Sequence, residues 1–370
     1  MTIELGSIDL NDLERTEVFG IPFGYKVTEN EGNTKNLVIM PSPDEVEDFN
    51  AGLKYFNYET LILLRSKYFF GINHRVQMFE VLYNTFVEIF EKKEENNLND
   101  ILTLQAVYSD MIIKLGTVLE DFAGMCYACK EYQQDRSDIA QVFLAYSDPI
   151  SFYRAIIAKS GKRQIKQIFC LPQSKGELHK IYKNLTNDET DLLMKAIQKS
   201  TSFIYDKFCD ISTSILRITK EDVTYYDMYN KLKHGFSPFY PFTTSMPLPI
   251  NGVPNDVSIK EIIIKYFFEN LTIMHDKLPG QRTVQEQQQY EEKKLATPTF
   301  TYQDINLESA MDIKKIISDI TLIYRHLIKK YLLLSKGKNS MILLMPQDYL
   351  TVEEKEQIES IINDKYLDSI

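Results

Sequence analysis

Residues 101–129 read ILTLQAVYSDMIIKLGTVLEDFAGMCYAC, and their spacing decides the fold class. Ile101, Leu104, Tyr108, Met111, Leu115, Val118, Phe122, Cys126 and Cys129 recur at steps of three and four residues. A half-buried strand alternates at every second residue. A period near 3.5 instead gathers these nine side chains into one stripe along a helix. Such a stripe needs other apolar helix faces to cover it, so the segment implies a helical bundle. Asn99 or Asp100 is the expected N-cap.

The same periodicity extends outward on both sides. Val76, Phe79, Tyr83, Phe86 and Phe90 predict a helix within residues 52–95, ended by the charged run Glu91–Glu95 and Asn96-Asn97. The short polar link to the next helix implies an antiparallel hairpin. Residues 1–50 read as irregular. Gly20 and Gly24 break helix there, Tyr25–Val27 and Leu37–Met40 suit two short strands, and Pro41 and Pro43 stop their pairing.

After the central helix, residues 136–185 break into shorter pieces at Pro149 and Pro172, with Ile165–Leu171 a candidate strand. Thr186-Asn187-Asp188-Glu189 is a capping box. It opens a helix striped by Leu193, Ile197, Ser200, Ile204, Phe208, Ile211 and Ile215. A box-like Thr219–Asp222 opens a short helix that Gly235 ends. Five prolines between 236 and 256 mark a loop. Ile259–Met274 reads as helix, with Ile262–Ile264 also compatible with strand. Gln281–Thr299 reads as a polar, mobile excursion. Ile313, Ile316, Ile320, Ile323, Leu327, Tyr331 and Leu334 stripe a helix over 306–335, Met341–Leu344 suits a short strand, and Thr351–Glu354 caps a last helix. No repeat of fixed period is present.

The expected fold is therefore mainly α: a helical bundle with long antiparallel helices and a small irregular or β N-terminal segment. The expected units are residues 1–50, a bundle over 51–235, a Pro-rich loop and polar excursion over 236–304, and C-terminal helices over 305–370 packing on the bundle.

Composition narrows the function classes. The net charge of -10 argues against broad electrostatic binding to nucleic acid or an anionic membrane. It leaves room for a local basic patch. With 23 Tyr, 21 Phe and no Trp, many buried phenols will need hydrogen-bond partners. Four Cys do not make a disulfide framework in a chain of 370 residues. The N-terminus lacks a basic run followed by an apolar stretch, and no uncharged apolar run reaches the roughly 18 residues of a membrane span. A reducing cytosol is the expected compartment, with no membrane partner.

Few motifs carry chemistry. Cys126-Tyr127-Ala128-Cys129 lies on the helical seam, where buried, inert thiols are expected rather than half a zinc site or a redox pair. Ser160-Gly161-Lys162-Arg163 with Lys166 is a basic cluster without the glycines of a phosphate loop and reads as a solvated turn. Arg325, His326 and Lys329 fall off the apolar stripe and read as an exposed face. His74, His179 and His275 stand alone. GxSxG, HExxH, GxxxxGK[ST] and GxGxxG are all missing, so no metal or cofactor is called for. A Ser–His–Asp arrangement, assembled in space, stays open.

Residues 222–235 stand out. On a helix Asp222, Tyr226, Asn230 and His234 share a face, with Asn230 and His234 one turn apart and Lys231 and Lys233 beside the imidazole. His suits proton transfer near neutral pH, an amide can orient a substrate oxygen, and a Lys can hold a phosphate. In-line cleavage of RNA asks for this set. The same residues suit a helix end: His and Lys in a last turn favour the negative end of the dipole and bond free carbonyls.

The string Tyr229-Asn230-Lys231-Leu232-Lys233-His234-Gly235 resembles the signature of the HEPN superfamily of small helical bundles. Its members often carry an Arg, a polar residue and, a few positions on, a His. Leu119-Glu120-Asp121-Phe122-Ala123 on the preceding hairpin is compatible with such bundles. The resemblance implies a metal-independent endoribonuclease of a defence or toxin–antitoxin type system, or a binding-only member, acting as a homodimer on RNA or with a protein partner. His234 would be the catalytic acid or base, Asn230 the polar residue after the Arg, and Lys231 and Lys233 the phosphate contacts. Tyr229 occupies the Arg position, and a phenol lacks the fixed charge and forked donors of a guanidinium; Lys231, Lys233 or Arg217 are the candidates to compensate. The competing expectation is a non-enzymatic helical interaction protein, in which His234 caps a helix and residues 236–254 dock a partner.

Overall fold

The computed structural model describes residues 13–18, 21–29, 35–68, 72–92, 97–219, 223–235, 258, 260, 263–264, 269–277 and 279–367. The fold is mainly α, with a small antiparallel sheet near the N-terminus. That sheet holds β1 (Glu14–Val18), β2 (Ile21–Glu29) and β3 (Lys35–Pro41) in order β1-β2-β3. Tyr25 pairs with Ile39 and Phe23 with Pro41. The two expected strands are thus present and a third precedes them; Pro41 does not stop the pairing but is its last residue, opposite Phe23, and Pro43 opens α1 (Pro43–Gly52).

The central helix is α4 (Leu98–Asp135), and every residue of the predicted stripe is buried in it. Its N-cap is Asn97, not Asn99 or Asp100; the helix begins earlier because the Asn97 side chain accepts from the otherwise free Asn99 N–H. By length and composition α4 could cross a membrane, but it lies inside the bundle. Against it pack α3 (Ile72–Lys92), its antiparallel hairpin partner, then α5 (Ile139–Ala145), α6 (Pro149–Ile156), α7 (Gly161–Ile168) and α10 (Tyr225–Lys233). The C-terminal α12 (Leu307–Ser335) also lies on α4, and on α2 (Tyr58–Ser66), α3 and α9 (Asn187–Ser212). Phe122 of α4 stacks on Phe208 of α9 at 5.3 Å and meets Tyr324 of α12 at 5.9 Å. Fully burying a side chain of this kind stabilises by about 1.5–3 kcal/mol, so these contacts tie the last third of the chain to the core. Short α8 (Lys175–Ile181) and terminal α13 (Val352–Asp364), capped by Thr351 and Glu354, complete the outer layer on α9.

Four local expectations are corrected. Residues 165–171 form no strand: Ile165, Ile168 and Phe169 are buried at helical spacing in and just after α7. Residues 270–274 are not helical but belong to β4 (Asn270–Asp276), whose first four residues are all buried, Leu271 and Ile273 in the apolar core. The polar stretch 281–299 is ordered. Thr283 and Glu286 make a capping box for α11 (Val284–Lys293), Lys277 pairs with Glu286 at 2.9 Å, and β5 (Pro298–Asp304) pairs antiparallel with β4. Residues 341–344 make no ladder; Met341 N–H donates to the Tyr182 hydroxyl and Leu344 N–H to Ser200 Oγ. The Pro-rich segment 236–256 lies outside the described residues.

Candidate functional site

The segment carrying the sequence motif is fixed at both ends. Thr224, not Thr219, is the N-cap of α10: its hydroxyl accepts from Asp227 N–H while Asp227 accepts from Thr224 N–H. Residues 220–222 lie outside the described residues, so the role given to Asp222 falls there too. Arg217 grips Asp227 with two hydrogen bonds of 3.0 and 2.7 Å. That commits the guanidinium to the helix start and removes it as a substitute for the missing Arg. At the other end His234 is the C-cap, and Gly235 takes the left-handed conformation at φ +74°, where a side chain would strain the turn.

The inward face of α10 is set by two tyrosines. Tyr226 and Tyr229 are both buried and donate to the two oxygens of one carboxylate, Glu120, at 2.9 and 3.1 Å. Burial and that carboxylate push the Tyr229 phenol up to about 12. Burial, then Glu120, raises Tyr226 as well, with the Asn230 amide pulling the other way. The close approach depends on Gly116, one turn before Glu120: a Cβ there would lie 2.1 Å from Tyr229 Cγ. Tyr229 is therefore seated flat on α4 with its hydroxyl engaged, and over its ring, 5.2 Å from the centroid, lies the Lys233 ammonium.

Beside Glu120, Asp121 anchors a second set. Its carboxylate pairs with Lys67 and, at 3.1 Å, with Arg75 Nη1, and accepts from the Tyr324 hydroxyl at 2.7 Å. Arg75 also donates to the Thr117 carbonyl at 2.7 Å. The Asp121 side chain is only 4% exposed, and two cations and a phenol compensate the hydration lost on burial. Sequence reasoning missed Lys67, Arg75, Gly116 and Tyr324. The available signal was the Glu120-Asp121 pair itself, two carboxylates flanking an apolar seam, which demand partners when buried.

The motif residues thus divide. Tyr229 turns inward, Asn230 and Lys231 are half-buried, and Lys233 and His234 are exposed at the end of α10. Other candidates separate from this group. Cys126 and Cys129 are fully buried, and burial pushes both thiols far up. His326 is not on an exposed face: it is buried against Phe169, with ring centroids 5.6 Å apart, because α12 is covered on more than one side by α7 and the chain after it. Burial pushes its imidazole down to about 4. Arg325 and Lys329 are exposed. His74 and His179 are exposed, while His275 contacts Asp276 O and Thr301 Oγ1 at 2.9 and 2.6 Å. Among the described residues no three His, Cys, Asp or Glu side chains gather as a metal site requires.

No protein-family model matches this chain, and neither a curated protein nor a solved structure matches it.

Proposed function

We propose that the chain is a HEPN-like helical protein that binds RNA through the end of α10 and cleaves it weakly, without a metal, in a defence or toxin–antitoxin type system. The observation carrying this reading is the division of α10: Lys233 and His234 are exposed together, while Tyr229 is consumed by Gly116 and Glu120. His234 would exchange a proton with the ribose hydroxyl or the leaving oxygen, Lys233 and Lys231 would neutralise phosphate, and Asn230 would orient an oxygen. What is missing is a fixed guanidinium aimed at the charge that builds on phosphorus. Loss of one such preorganised donor typically lowers turnover by about 10²–10³-fold, hence weak cleavage. Pairing of two copies through this end would bring two such sets together.

The test uses a labelled single-stranded RNA, with anisotropy for binding and gel analysis for cleavage in EDTA. Lys233→Ala should weaken binding, and His234→Ala should abolish cleavage while leaving binding and the melting temperature unchanged. Tyr229→Arg combined with Glu120→Gln, which supplies a guanidinium without an ion-pair partner to hold it on α4, should raise cleavage. A wild-type chain that neither binds nor cuts RNA favours the competing reading, a non-enzymatic interaction protein. The two-phenol seat on Glu120, which makes α10 a packing element, supports that second reading.

A further inference from the structure

A second polar site lies at the other end of α4. Glu120 and Arg136 are 16 residues apart, which along a helix is about 24 Å. Here the C-termini of α4 and α7 meet the turn after α12 around a cleft of about 720 Å³. Its rim carries Lys54, Arg136, Lys166 and Lys180 against one carboxylate, Glu177. Among the described residues none of the four cations has an acidic partner. In a chain of net charge -10, four unpaired cations around one concavity are a local reversal of field. The C-termini of α4, α7, α8 and α12 all border the cleft and subtract about half a charge each, so four cations less Glu177 leave it positive by about one charge.

The backbone gives an independent sign. Helices commonly end with Gly in the left-handed conformation. At the ends of α4 and α7 that position is held by Arg136 (φ 66°) and Cys170 (φ 53°), and both line this cleft. Each takes that conformation against a steric penalty, as Asn184 and Lys294 do elsewhere, and these two fall together at one cleft. Arg136 is also held in place, its guanidinium 4.9 Å from the Tyr132 ring centroid. Behind the wall, buried Lys330 donates to Asn339 Oδ1 at 3.1 Å and to Ser340 O at 2.8 Å, which fixes Asn339 on the cleft lining.

We propose that this cleft binds a soluble small molecule carrying a chain of two or more phosphate groups, with Arg136 and Lys166 as its principal contacts and Lys54 and Lys180 closing the rim. The spread of cations around the opening suits several linked phosphates rather than one, and the cleft volume admits a nucleotide-sized ligand.

The probes are tripolyphosphate, ATP and orthophosphate, added at matched ionic strength near 150 mM salt, and read by calorimetry and thermal shift on the full chain. Tripolyphosphate should bind saturably and raise the melting temperature, with orthophosphate at least about tenfold weaker. Tighter binding of ATP than tripolyphosphate would assign the source as a nucleotide; equal binding would assign it as inorganic polyphosphate. Arg136→Gly relieves the left-handed turn, so it should fold as well as the wild type and bind about tenfold more weakly, as should Lys166→Gln. Lys315→Gln, an exposed lysine on α12, should bind normally, and so should His234→Ala, which separates this site from the RNA reading. The proposal is overturned if tripolyphosphate does not bind saturably, if orthophosphate binds as tightly, if Arg136→Gly binds as well as the wild type, or if single-stranded RNA competes for the cleft.

Discussion

Gly116→Ala puts the seat of α10 to a test in which two physical effects have opposite signs. Helix propensity favours the change: Ala in place of Gly inside a helix gains about 0.8–1 kcal/mol. The structure says otherwise. The new Cβ would stand 2.1 Å from Tyr229 Cγ and 2.4 and 2.5 Å from the two Cδ atoms, where carbon atoms rest about 3.5 Å apart. The ring must retreat by roughly 1.4 Å, and its hydroxyl then loses Glu120, now 3.1 Å away. Overpacking of this kind costs about 1–3 kcal/mol, and a lost hydrogen bond to a charged acceptor about 1.5–3. Net of the propensity gain, Gly116→Ala should destabilise by about 1.5–5 kcal/mol. Urea unfolding followed by circular dichroism measures this, and a double-mutant cycle isolates it. In a Tyr229→Ala background the same substitution meets no ring, so it should turn neutral or stabilising. Equal effects in the two backgrounds would refute the seat, and with it the explanation of why Tyr229 is withdrawn from the site.

Asp121→Asn strands Lys67 and Arg75 without their carboxylate and should cost about 3 kcal/mol in the same unfolding assay, whereas Glu120→Gln, which keeps one acceptor oxygen and turns the other position into a donor towards a phenol oxygen, should cost about 1–2 kcal/mol. His326 gives a pH signature. Burial holds its imidazole near 4 against an ordinary value of 6.5, so the unfolded chain takes the proton first. Stability is full above about pH 7 and is lost as pH falls from 6.5 towards 4, by about 2 kcal/mol at pH 5. His326→Phe should flatten that part of the stability profile, and an unchanged slope would disprove the assignment. Cys170→Gly relieves a left-handed residue at the end of α7 and should leave stability equal or up to about 1 kcal/mol higher, measured by the urea midpoint.

The fold class was legible because periodicity reports burial directly: the α4 stripe is wholly inside the core, and so are those of α9 and α12 except that Ile215 lies beyond the end of α9 and Leu334 is half-exposed at the end of α12. The capping boxes at Thr186 and Thr351 were equally readable, since two side chains and two N–H groups within four residues are a local matter. The errors fell where local signals tie. Residues 165–171 and 270–274 are short apolar runs that fit strand or helix alone, and only their neighbours in space chose between them. Polarity misled at 281–299, because a capped helix and a paired strand can be stable with few buried side chains.

By itself, then, the chain determined its long helices, most of their buried stripes and the string ending in His234, because each depends on residues three or four apart. Tertiary structure alone decided that Tyr229 faces Gly116 and Glu120, that Asp121 gathers Lys67, Arg75 and Tyr324, and that Arg136 and Lys166 share a cleft. These groups lie from about 30 to more than 200 residues apart in the chain. Charge and hydrogen bonding act over a few ångströms of space, and sequence spacing carries no record of which distant helices will be brought within that reach.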